Sequence, residues 1–128
     1  MADNLTTRQR MLLTAIDIPL TEQTLRAAQL DPQALVKAID SPNESLYLRG
    51  RAIAAIAILG PQGLSSLLEN ICVGPYPTAL KQQAVISLAR APYVEFESPR
   101  IERLLSLLGR TQGVLVHTLI KEIERLEP

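Results

Sequence analysis

The sequence contains one cysteine, one histidine, one phenylalanine, three tyrosines and no tryptophan in 128 residues. A lone cysteine excludes a disulfide framework within the chain. One cysteine and one histidine also fall short of the four ligands of a structural zinc site, so no metal or other cofactor is expected. Because aromatics are scarce while 47% of residues are apolar, the core must come from Leu, Ile, Val and Ala, the vocabulary of packed helices. No charge predominates: 13 basic and 13 acidic residues leave a net charge of zero. That balance disfavours nucleic acid, whose partners are normally basic, and points to another protein as partner.

Long apolar runs are missing as well. The longest, Ala52–Leu59, is eight residues against the ~20 that cross a bilayer. The run Met11–Ile16 stops at Asp17, short of the apolar core of a secretory signal. The expectation is a soluble cytoplasmic chain with no membrane segment, in which the Asn43-Glu44-Ser45 sequon has no meaning. Its length suits one domain, residues 1–128.

What is present is helical punctuation. Proline and glycine recur at intervals that suit helices of about ten to fourteen residues and leave no room for strands with crossovers. The spacing predicts an all-α chain of roughly eight helices: Thr7–Ile16, Thr21–Leu30, Pro32–Asp40, Leu46–Leu59, Pro61–Ile71, Ala79–Arg90, Pro99–Leu108 and Gly113–Leu126. Asp31-Pro32 and Ser98-Pro99 each set a capping oxygen before a proline at the first helical position.

The chain also repeats itself. Pro32-Gln33-Ala34-Leu35 returns as Pro61-Gln62-Gly63-Leu64, 29 residues on. The stripe Leu64, Leu67, Leu68, Ile71 returns as Ile101, Leu104, Leu105, Leu108. In front of these, Leu48-Arg49-x-x-Ala52-Ile53-x-Ala55-Ile56-Ala57 aligns with Leu80-Lys81-x-x-Ala84-Val85-x-Ser87-Leu88-Ala89 at a shift of 32. Each unit reads as two antiparallel helices, and one such hairpin cannot bury both its faces, so the units must stack. The last helix is apolar at Val116, Leu119, Ile120, Ile123 and Leu126 and should turn Thr118, Lys121, Glu122, Arg125 and Glu127 to water as a cap.

A first helix reading Leu-Arg-x-x-Ala-Ile-x-Ala-Ile-Ala, then Leu-Gly-Pro, then a second helix reading Leu-x-x-Leu-Leu, resembles HEAT or HEAT-like repeats. The resemblance is good over residues 46–108 and weaker over 21–40, where the basic-x-x-Ala signature is missing. It implies a right-handed α-solenoid of about three to three and a half helix pairs. The loops at Val73–Thr78 and Ala91–Ser98 depart from standard repeat turns. HEAT-like solenoids serve mainly as scaffolds, adaptors and assembly factors, while a minority act on DNA or assist cofactor-lyase reactions. In that geometry the second helix of each pair lines the concave side, which singles out Lys37, Ser66 and Arg103, and five residues past each stripe start Asp40, Glu69 and Ser106. These form either a solvated face or a polar ladder that grips a partner.

A second candidate surface is the loop edge. Tyr47 and Tyr76 lie 29 residues apart, each in a connection between units, where an aromatic either anchors a partner or packs over a helix end. Tyr93-Val94-Glu95-Phe96-Glu97 alternates apolar and acidic residues, so Tyr93 and Phe96 either dock a partner by main-chain pairing or fold back over the hairpin. Cys72 reads as a buried filler and His117 as a rim imidazole; neither has a catalytic neighbour in sequence. Gly50, inside a helix, reads as permitting close helix contact. The function expected is a non-catalytic protein-binding adaptor, scaffold or assembly factor. The alternatives are a DNA-acting or chromophore-lyase-like repeat protein, with Arg49, Arg51, Lys81 and Arg90 as a modest basic patch, or self-assembly through the N-terminal helix by Met11, Leu12, Leu13 and Ile16.

Overall fold

The computed structural model describes residues 5–60, 64–90 and 100–127. Among these, all regular structure is helical: α1 (Thr7–Thr14), α2 (Glu22–Ala27), α3 (Pro32–Ile39), α4 (Leu46–Leu59), α5 (Leu64–Val73), α6 (Thr78–Arg90), α7 (Arg100–Leu108) and α8 (Val114–Leu126). The starts expected at Pro61 and Pro99 lie outside the described residues.

Local chemistry explains the ends. Thr6, Thr21, Asp31 and Ser45 each accept a hydrogen bond from the backbone N–H three residues on, which satisfies an otherwise orphaned donor. Gly60 closes α4 in the left-handed conformation (φ 66°). The helix expected over Thr21–Leu30 stops early because Gln29 turns left-handed (φ 58°), and its N–H reaches Arg26 O at 3.0 Å while Leu30 N–H reaches Leu25 O at 3.0 Å. This pair of bonds is the closing motif usually supplied by glycine. Between α5 and α6, Gly74 is required for space: a Cβ there would stand 2.7 Å from Asn70 O.

The helices pack in a consistent order. α3 lies on α4, α5 on α6 and α7 on α8, while α4, α6 and α8 contact one another in succession; α1 and α2 close the N-terminal end against α4. The sequence grouping of α4 with α5 and α6 with α7 is therefore shifted by one helix, since the most extensive partners of α4 are α3 and α6. The apolar, wrap-around composition of α4 is what this position demands. Ala52, Ile53, Ala55, Ile56 and Ala57 are all buried, and the small alanines allow two neighbours to approach. One apolar cluster runs from Leu12 to Ile123.

Three expected faces are corrected. In α7 Leu107 is fully buried and Leu105 is 49% exposed, because four leucines span half the helix and only packing on α6 and α8 selects among them. In α8 the buried face is Leu115, Leu119, Glu122 and Ile123, and Ile120 faces out. Glu122 is buried because Arg90 clasps it with two bonds of 2.9 and 2.8 Å and Arg125 adds a third at 3.1 Å. Gly50 does not serve close contact: a Cβ there would meet only Leu80 Cδ2, at 3.9 Å, an ordinary van der Waals distance.

Two predictions follow from this packing. Gly50→Ala should stabilise the fold by about 0.5–1 kcal/mol, read as a higher urea midpoint at unchanged slope, because helix propensity improves with no clash. The Arg90 hydrogen bond, aided by Arg125, holds the Glu122 carboxyl below the ordinary glutamate range against the opposing effect of burial. A depressed folded-state pKa contributes stability that is complete above the unfolded value and lost as pH falls through the folded one. Wild-type melting temperature should therefore drop on acidification below about pH 4.3, the ordinary glutamate pKa, more steeply than that of Glu122→Gln.

Candidate functional site

Most arginines of the expected basic patch are engaged within the molecule. Buried Arg49 donates from Nε to Ile39 O at 2.8 Å, at the last turn of α3. Arg51 reaches four carbonyls around the end of α1: Leu13 O (3.1 Å, from Nε) and Leu12 O, Ala15 O and Ile18 O (3.2, 3.1 and 3.0 Å, from Nη2). Arg90 is held by Glu122. Helix ends leave carbonyls without intrahelical donors, and guanidinium groups supply them. Lys81, aligned in sequence with Arg49, makes no such bond and lines a cavity between the end of α5, the first turns of α6 and the α7–α8 connection.

The polar ladder is drawn together, but largely with itself. Arg103 on α7 pairs with Glu69 on α5, with Nε to Oε2 at 3.0 Å and a closer contact from Nη2, and Arg110 approaches the other oxygen of Glu69 at 3.5 Å. Asp40, at the end of α3, accepts a 2.7 Å hydrogen bond from the Tyr76 hydroxyl after α5. That bond, with burial and the Asp40 charge, raises the tyrosine pKa. Side chains from α3, α5 and α7 thus form cross-links from one helix to the next. Lys37, Ser66 and Ser106 stand exposed on the same helices.

The two loop-edge tyrosines part company. Tyr76 is half-buried, its ring over Gly74, and packs against the core as a rim residue. Tyr47 is 49% exposed, and Arg51 lies 6.0 Å from its ring centroid. Tyr93 and Phe96 lie outside the described residues. Cys72 is buried, and loss of solvation, with the Glu69 charge, pushes its thiol to about 12, so it stays protonated. His117 is exposed rather than at a half-buried rim. Among the described residues no group of three or more His, Cys, Asp or Glu could hold a metal, and no helix is long and apolar enough to cross a membrane.

Sequence reasoning had Met11, Ile16 and Tyr47 on two separate candidate surfaces and missed Ile18, Leu46 and the arginine that joins them. Arg51 bonds Ala15 O and Ile18 O while lying beside Tyr47, which gathers the α1–α2 connection against the start of α4. Ile16 (84% exposed), Met11 (64%), Ile18, Leu46 and Tyr47 are the large apolar side chains left open at this end. The apolar face expected over Thr7–Ile16 is divided: the helix ends at Thr14, Leu12 and Leu13 are buried, and Met11 and Ile16 are not. The available signal was the density of aliphatics flanking Asp17 and Pro19.

Comparison with family models, with curated proteins and with solved structures returns no match.

Arg51 is the chief polar tether of this end, so Arg51→Met should lower stability by about 1.5–3 kcal/mol, the value of hydrogen bonds from a charged donor. The amides of α1 should lose protection from hydrogen exchange before those of α6.

Proposed function

We propose that this chain is a cytoplasmic HEAT-like repeat module that binds another protein without catalysis, at its N-terminal end rather than along the polar ladder. The observation that carries this reading is the set of open apolar residues on α1, on the α1–α2 connection and at the start of α4, the segments that Arg51 ties together: Met11, Ile16, Ile18, Leu46 and Tyr47. A tyrosine and aliphatics held by an ordered backbone give a partner apolar area at little entropic cost. The ladder is the poorer surface, because Glu69 already binds Arg103 and Asp40 already binds Tyr76.

The repeat reading, a right-handed α-solenoid of antiparallel pairs, is supported as to stacking by the recurring helix pairs and by the succession of α4, α6 and α8. The basic residue of the repeat pattern, Arg49, ties α4 to the end of the helix before it. The DNA reading loses support, since Arg49, Arg51 and Arg90 all have internal partners.

A second reading, self-association, rests on the same cluster, because Met11 lies on α1. The test compares wild type with Met11→Ser/Ile16→Ser/Tyr47→Ser in light scattering and in a salt-washed pull-down from source-cell extract. A stoichiometric protein retained by wild type and weakened about thirtyfold in the variant, the equivalent of about 2 kcal/mol at an anchor, supports hetero-association. A dimer lost in the variant moves the reading to self-association. Equal behaviour of the two proteins overturns both.

A further inference from the structure

The end of α5, the first turns of α6 and the connection from α7 into α8 share the wall of a cavity of about 450 Å3. Its wall includes Lys81 and Arg110, the hydroxyl residues Thr78 and Thr111, and Gln112. No aspartate or glutamate lines it. Among the described residues the acid that reaches this wall is Glu69, which does not line it and is shared between Arg103 and Arg110, so the charge on Lys81 is left uncompensated.

Among the described residues Lys81 has no ion partner, and Arg110 has a single distant one. Lys81 is half-buried and forms no hydrogen bond or ion pair through its side chain with any described residue. Arg110 has one long contact, 3.5 Å to Glu69 Oε1, on a carboxylate that Arg103 already holds more closely. Cys72 also lines the cavity, but as a protonated thiol it brings no negative charge.

The rest of the wall is Val73 and the start of α8. Gly113, Val114 and Leu115 form the entry to α8, where no side chain caps the first-turn N–H groups. These donors add to the field of the two cations. The volume lies within the roughly 300–1,000 Å3 of small-molecule sites.

We propose that this cavity binds a small phosphate monoester. Its phosphoryl group sits between Lys81, Arg110 and the first turn of α8, and its organic part occupies the rest of the cavity near Thr78 and Gln112. A phosphate monoester carries close to two negative charges and three acceptor oxygens, which matches two cations, two hydroxyls and open amides better than a carboxylate does. None of the residues on this wall belongs to the apolar cluster at the N-terminal end, so the two readings stand or fall separately.

The test is a titration of the 15N-labelled full chain with inorganic phosphate and with glycerol phosphate, and with acetate as the monoanionic control. The expected result is saturable shifts of the Thr111, Val114 and Leu115 amides, with affinity falling as pH drops below about 6, where the monoester loses its second charge. Lys81→Met should weaken binding by at least about tenfold and Lys81→Arg should retain it, both with unchanged melting. Should Lys81→Met fail to fold, Arg110→Gln, at an exposed side chain, carries the same expected loss. Absence of saturable shifts, acetate binding as well as phosphate, or equal affinity in the charge-removing variant would overturn the proposal.

Discussion

Every α-helix ends with carbonyls that have no partner of their own, and a fold made of short helices multiplies such ends. In this molecule Gln9 serves the end of α2, and at three other ends the donors come from arginines on other helices. Arg49 serves the end of α3 and Arg51 the end of α1. Arg100 and Arg125 both reach Ala89 O near the end of α6, at 2.7 and 3.4 Å. Each guanidinium lies on a different helix from the carbonyl it serves, so the bond that satisfies an end also fixes one helix against another. Arginine suits the task because its planar fork offers several donors and sheds water more readily than an ammonium.

The same constraint shapes the surface. Arg49, Arg51 and Arg103 are committed to partners within the molecule, and the polar ladder closes into Glu69–Arg103 and Asp40–Tyr76 cross-links. What remains open is apolar at the N-terminal end and cationic at the cavity beside α8. The cavity depends on a departure from the repeat: Lys81 stands where Arg49 does in the preceding unit, yet it has no carbonyl to serve.

Much of the fold was legible in the sequence because local signals agreed. Ser45 and Gly60 bracket α4, Asp31-Pro32 starts α3, and the aliphatic and alanine pattern of α4 marks a helix with neighbours on several sides. The reading failed where more than one residue fitted the same local rule. Leu105 and Leu107 both satisfy a helical stripe, Gln29 gives no sign of a left-handed turn, and Glu122 looks like any solvent-facing glutamate until Arg90 is known to stand opposite.

The candidate surfaces divide in the same way. That Tyr47 and Tyr76 occupy equivalent connections follows from their spacing; that one is open and the other bonds Asp40 does not. By itself the sequence determined helix, turn and composition, because those depend on residues a few positions apart. The tertiary structure alone decided which helices pair, which carbonyl each arginine serves and which cations face a cavity. Those outcomes join residues some ten to forty positions apart, and no periodicity within a single helix encodes them.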